Sequence, residues 1–172
     1  STDFSLGTIG AGTGALTGSL KGGLGSASLV LDNGATVAAL VATNPIGNVT
    51  TSNDRHFWAA PFEIDAEFGG VGTDLASGLG RNLNSRKMAA FMERANTTIA
   101  IVATDMVMDK AQCQRVAIAS HDGIGRAIIP AHMPGDGDAV FALSTGEIEM
   151  QNPGFDLMII GHAAALCLSR AI

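Results

Sequence analysis

Apolar and polar positions change their spacing several times along the chain, and each change marks an element. From Thr97 to Thr104 the apolar residues Ile99, Ala100, Ile101, Val102 and Ala103 run without alternation, which predicts a central strand apolar on both faces. The polar triplet Asn96-Thr97-Thr98 stands at its mouth. Beyond it, Asp109 can cap a helix and Gln112 can reach back to the cap, so a helix is expected to run to about Arg126. Pro130 and Pro134 mark a loop, Ala139 to Thr145 reads as another buried strand, and Asp156 to Ile172 as a last helix. Upstream, Leu29-Val30-Leu31 and Thr36 to Thr43 predict a hairpin turning at Asp32-Asn33-Gly34, since Asn-Gly supplies the positive φ of a tight turn. Asn44-Pro45 ends its second strand. Residues 7 to 28 carry glycine too often for a helix and read as a loop region. Residues 45 to 83 hold no sustained period and read as a long excursion. Asn84 to Arg94 is expected to form a short helix, with Met88, Phe91 and Met92 on one side. Strand, helix, strand, helix in the second half favours an α/β layered domain.

Composition narrows the function classes. The chain has 172 residues, 47% of them hydrophobic, and a mean hydropathy of +0.29. That length and apolar content predict one domain with a real core. Charged residues are only 15% and aromatics 5%, so the apolar content is mostly aliphatic and interleaved with glycine, as closely stacked layers require. A net charge of −6 without a Lys/Arg cluster argues against a nucleic-acid partner. The apolar runs are strand-length, short of the roughly 20 residues of a membrane span, so no membrane partner is expected. Cys113 and Cys167 lack Cys-x-x-Cys spacing, and no His-Glu-x-x-His pattern occurs, so neither a disulfide framework nor a metal site is indicated. No leader pattern opens the chain, both ends look cut, and a cytoplasmic fragment of a longer polypeptide is expected.

Three stretches are candidates for chemistry. Gly10-Ala11-Gly12-Thr13-Gly14-Ala15 loosely matches a dinucleotide fingerprint, but that motif needs a following helix, which Gly18, Gly22, Gly23 and Gly25 forbid. No nucleotide cofactor is therefore expected. Asp136-Gly137-Asp138 places carboxylates two residues apart at a strand start, on one face if the strand has begun. Such a pair can orient a nucleophile's amine, whereas Pro134-Gly135-Asp136-Gly137 is equally good turn chemistry. His132 lies just before the pair and can line a site. Thr97 and Thr98 either simply begin a strand, as β-branched residues do, or carry the hydroxyl that a self-cleaving precursor presents after Asn96.

Taken together, Gly7 to Gly14, Lys21-Gly22-Gly23-Leu24-Gly25-Ser26-Ala27-Ser28, Val37 to Asn44, Asn96 to Ala100, and Asp136 through Gly146 resemble the self-processing aminopeptidase family. That family includes L-aminopeptidase/D-esterases, β-aminopeptidases and nylon-oligomer hydrolases. The resemblance implies a four-layer α/β/β/α sandwich, made as one precursor and cut by itself. On this sequence the cut falls between Asn96 and Thr97. Residues 1 to 96 become the C-terminal part of an α-subunit, residues 97 to 172 the β-subunit, and the single domain 1 to 172 lacks the N-terminal part. It further implies Thr97 as nucleophile, Asn44 as oxyanion donor, Lys21 as an organising lysine, and Asp136 with Asp138 as the acidic pair. Thr97 with two aspartates leans towards the nylon-oligomer-hydrolase type.

The implied activity is amide hydrolysis of a small peptide or amide substrate through a threonyl acyl-enzyme. The implied assembly is a homo-oligomer of processed units, with no cofactor. A threonine hydroxyl needs a base, and the free α-amine of the same residue, with a pKa near 8, is placed to be one. The alternatives are acyl transfer of the ornithine-acetyltransferase kind and a non-catalytic assembly protein.

Overall fold

The computed structural model describes residues 3–52, 54–78, 81, 84–89 and 96–172. Four strands form one sheet in chain order: β1 (Gly23–Val30), β2 (Thr36–Asn44), β3 (Thr97–Met106) and β4 (Ala139–Ile148). β1 pairs antiparallel with β2, β2 antiparallel with β3, and β3 parallel with β4. The short helix α1 (Arg86–Ala89) precedes β3, α2 (Lys110–Ala127) joins β3 to β4, and α3 (Pro153–Ala171) closes the chain. The parallel β3–β4 pair demands a crossover, and α2 supplies it.

Helices α2 and α3 cover one face of the sheet. Alternation along the strands turns Val37, Val41, Ala100 and Val102 towards them, where they meet Val116, Ile124, Ile160, Ala164 and Leu168 in the core. Small residues set the helix separation: a Cβ on Gly123 would lie 2.5 Å from the Ala165 carbonyl oxygen. The start of α2 is the expected capping box, with Asp109 accepting from Gln112 N–H and the Gln112 side chain accepting from Asp109 N–H, both at 2.8 Å. In α3 length and apolarity would suffice for a membrane span, yet 56% of its most apolar 18-residue window is buried inside the fold, as befits a core helix.

The opposite face of the sheet is apolar and open among the described residues. Leu40, Ile99, Ile101, Phe141 and Leu143 all have large exposed fractions there. β3 is thus central and apolar on both faces as its pattern predicts, with only one face covered. β4 is an edge strand whose Phe141 is 61% exposed, which corrects the expectation of a buried strand. Its run of apolar residues cannot by itself tell one covered face from two.

The hairpin turns at 31–35 as expected, with Gly34 at φ +84°. Its first strand, however, begins at Gly23, inside the stretch read as loop. The glycines there meet close backbone neighbours: a Cβ on Gly25 would sit 1.8 Å from the Ala171 carbonyl oxygen at the end of α3. Gly-rich sequence here marks a strand crossed by a helix terminus. Residues 45–52 and 54–78 form an irregular excursion that is nonetheless tied down. Asn48 and Ile129 exchange two backbone hydrogen bonds of 2.9 Å, and Arg170 on α3 holds Glu67 through Nε at 2.8 Å. That guanidinium keeps the Glu67 carboxyl below the usual carboxylate range. Of the helix expected over 84–94, Arg86–Ala89 is helical, and Phe91 and Met92 lie outside the described residues.

Gly25→Ala is expected to destabilise the fold by about 1–3 kcal/mol, the usual cost of overpacking. Urea denaturation checks it, and an unchanged midpoint would contradict the close approach of α3 to β1.

Candidate active site

Sheet topology gathers the site. Because β2 runs antiparallel to β3, the last residue of β2 lies beside the first of β3, and Asn44 pairs with Thr97. Because β4 runs parallel to β3, the segment leading into β4 arrives at the same end, where Asn96 and Asp136 form a parallel bridge. Asn44 and Thr97 stand on positions that alternate with the helix-facing residues Thr43 and Thr98, so both side chains project from the open face.

Around the Asn96-Thr97 peptide the contacts are short and specific. The Gly137 N–H donates to the Asn96 carbonyl oxygen at 3.0 Å. The half-buried Thr97 hydroxyl donates to that same oxygen. A Cβ on Gly137 would lie 2.8 Å from Thr97 Oγ1, so the position is held close by a residue without a side chain. Asp138 Oδ1 accepts from Thr98 N–H at 2.9 Å, and its Oδ2 lies 2.9 Å from His132 Nδ1. His132 sits at φ +53° with its ring 5.1 Å from that of His121. Burial, and then the nearby His132, push the His121 pKa down.

Asp136 turns to the other side. Its Oδ1 accepts from Ile46 N–H at 3.0 Å, which ties the β4 approach to the chain just after Asn44. The two aspartates therefore brace opposite flanks of β3 through different partners. Burial raises the Asp136 pKa, with Asp138 adding to the rise and the Ile46 N–H opposing it.

Asn44 is held from below. Its Oδ1 accepts from Leu16 N–H at 3.0 Å and from Lys87 Nζ at 2.9 Å. Lys87, only 5% exposed, also donates to the backbone oxygens of Leu16, Asn44 and Pro45. A cavity of about 310 Å³ lined by residues 16–20, Arg86 and Lys87 shares Leu16 and Lys87 with this cluster. Lys21, the lysine singled out in the sequence, is exposed, and its backbone bridges Leu16. The buried cation at Asn44 is Lys87. Its position had no pattern to mark it, being one of two adjacent basic residues in a four-residue helix. Among the described residues no group of three or more His, Cys, Asp and Glu side chains is gathered to hold a metal ion.

The whole sequence, residues 1–172, matches peptidase family S58. The chain belongs to that family. An uncharacterised aminopeptidase of Mycobacterium bovis is 39% identical over 180 residues, covering 99% of this chain and 52% of the relative. The 6-aminohexanoate-oligomer endohydrolase of Paenarthrobacter ureafaciens is 28% identical over 121 residues, covering 66% of this chain and 31% of its own length. Among solved structures, a Pyrococcus horikoshii protein superposes with TM-score 0.66 at 27% identity, covering 100% of this chain and 44% of that one. The L-aminopeptidase D-Ala-esterase/amidase of Ochrobactrum anthropi superposes with TM-score 0.63 at 23% identity, covering 96% of this chain and 43% of its own. That enzyme is described as a variant of the Ntn hydrolase fold, and this S58 member shares the fold. The chain spans about half the length of the mycobacterial relatives it matches. Its sheet and single helix layer supply part of the α/β sandwich.

A raised pKa means that the native state favours protonated Asp136. The stability this gives is fully present below the unfolded value near 3.8 and is lost as pH rises through the folded value. Asp136→Asn keeps an acceptor for Ile46 N–H without the charge. The stability of the parent relative to this variant is therefore expected to fall as pH rises from below the unfolded value through the raised folded value. Urea unfolding across that range measures it, and a flat difference would contradict the assignment.

Proposed function

We propose that this S58 member is a self-processing N-terminal-threonine amide hydrolase that cuts its own chain between Asn96 and Thr97. The observation that carries this reading is the pair of donors on the Asn96 carbonyl oxygen. Gly137 N–H contacts it at 3.0 Å, and the hydroxyl that would attack the adjoining carbon belongs to the next residue, Thr97. An amide is activated when a donor stabilises the negative charge that develops on its oxygen, and Gly137 is placed to do so.

The processing step balances as an acyl shift. Thr97 Oγ1 forms a bond to the Asn96 carbonyl carbon, the C–N bond breaks, and the hydroxyl proton passes to the departing nitrogen. An ester remains between Asn96 and the Thr97 side chain. Water then cleaves it, leaving the Asn96 carboxyl group, the Thr97 hydroxyl and a free Thr97 α-amine.

That amine changes what Thr97 can do. With a pKa near 8 it accepts the proton of its own hydroxyl at neutral pH, which the peptide nitrogen of the precursor cannot. The hydroxyl then attacks a substrate amide, releases its amine part and carries the acyl part until water removes it. Asn44, opposite Thr97 on β2, is the side-chain donor for the substrate's oxyanion. Asp138 holds the start of β3 through Thr98 N–H, with His132 behind it. Asp136 acts from the β2 flank. Lys21, exposed and bridged through its backbone to Leu16, keeps the organising role that the family resemblance implies.

The substrate class is a peptide or short amide oligomer. The names of the mycobacterial relative, an aminopeptidase, and of the Paenarthrobacter enzyme, an oligomer endohydrolase, support that range. In this reading residues 1–96 and 97–172 stay together as one processed unit, and processed units assemble into a homo-oligomer.

Mass spectrometry of the purified protein is expected to show a new amino terminus at Thr97. Thr97→Ala is expected to remain a single chain without amide hydrolysis, and full activity in that variant would overturn the nucleophile assignment. Asn44→Ala is expected to process and fold but to lose about 10²–10³ in kcat, the usual effect of deleting one oxyanion donor. Steady-state kinetics on an amino-acid anilide measures that loss.

A further inference from the structure

Lys87 is the most enclosed cation among the described residues, and the sequence offered no role for it. Its ammonium meets the backbone oxygens of Leu16 at 2.7 Å, Asn44 at 2.9 Å and Pro45 at 2.9 Å, together with Asn44 Oδ1 at 2.9 Å. These oxygens mark the end of β2 and the loop crossing it, so one side chain grips both the backbone and the side chain of Asn44.

The grip has a chemical consequence. A carboxamide has an accepting end and a donating end of nearly equal shape, and only its partners decide which way it faces. At Asn44 two donors, Lys87 Nζ and Leu16 N–H, meet the same atom, which must therefore be the oxygen. Turning the amide over would set N–H groups against an ammonium and a backbone N–H. Lys87 thus fixes Nδ2 as the end that can give hydrogen bonds elsewhere. A positive charge on the oxygen also draws electrons from the amide nitrogen and strengthens its N–H groups as donors.

We propose that Lys87 is the positioning residue of the oxyanion site, holding the Asn44 carboxamide so that Nδ2 donates to the substrate's developing oxyanion. This rests on the reading of Asn44 as that donor. Lys87 precedes the Asn96-Thr97 peptide in the chain, so after cleavage it belongs to the tail of the first subunit. The oxyanion site of the processed enzyme therefore depends on that tail remaining seated.

A double-mutant cycle in the full chain tests the proposal, using Lys87→Met, Asn44→Ala and their combination. Each variant is first checked for folding by thermal melting and for processing by mass spectrometry. Lys87→Met is expected to lower kcat by about 10- to 100-fold, as loss of a supporting partner commonly does, with KM little changed. In the Asn44→Ala background the same change is expected to cost no further kcat, because the side chain it positions is gone. Losses that multiply, or an unaltered kcat in Lys87→Met, would overturn it. If Lys87→Met does not fold, Lys87→Gln, which keeps a neutral donor for the same carbonyls, carries the same comparison. Full activity in Thr97→Ala, or an unaltered kcat in Asn44→Ala, would instead defeat the underlying reading. Loss in both of those with none at Lys87 defeats this inference alone.

Discussion

Antiparallel pairing of β2 with β3 is the constraint on which the candidate site depends. It sets Asn44 directly across from Thr97, and the register that does so runs unbroken from Val37↔Thr104 to Asn44↔Thr97. A one-residue slip would turn one of the two side chains to the helix-covered face and separate them. The burial of Val37, Ala39 and Val41 on one strand, and of Ala100 and Val102 on the other, prevents that slip. The core thus holds the chemistry in register although no core residue takes part in it.

The parallel pairing of β3 with β4 supplies the other wall. It needs a crossover, so the stability of α2 and its packing on α3 bear on where Asp136, Gly137 and Asp138 arrive. Small residues make that packing possible. Gly123, Gly161 and the run Ala163-Ala164-Ala165 let two helices and a sheet approach closely, and Gly25 lets the end of α3 cross β1. A chain poor in aromatics builds its core from proximity rather than bulk.

The site combines two kinds of support. Backbone N–H groups do the nearest work, since Gly137 reaches the Asn96 carbonyl while Ile46 and Thr98 orient the two aspartates. Side chains then fix directions: Lys87 sets the Asn44 amide, and His132 meets the outer oxygen of Asp138. Processing would change two groups in this arrangement, the Asn96 carbonyl becoming a carboxylate and the Thr97 nitrogen turning from an amide into an amine. A hydroxyl already held beside its target gains a base in the same step.

Much of the second half was legible in the residue pattern. The capping pair Asp109 and Gln112, the unbroken apolar run of β3 and the Asn-Gly turn of the hairpin are local signals, and local geometry honours them. The candidate site residues Thr97, Asn44, Asp136 and Asp138 could be named as a set only through the family resemblance, because no local pattern marks Asn44. Their meeting could not be read, because it depends on two pairing directions that no short stretch encodes. The same is true of β1, where Gly23 and Gly25 read as loop until the neighbours that exclude a Cβ were in place. Lys21 and Lys87 are alike as residues. Only the tertiary structure decided that Lys87 is the one buried against Asn44, because a lysine's role is set by the carbonyl oxygens around its ammonium, and those come from residues distant in the chain.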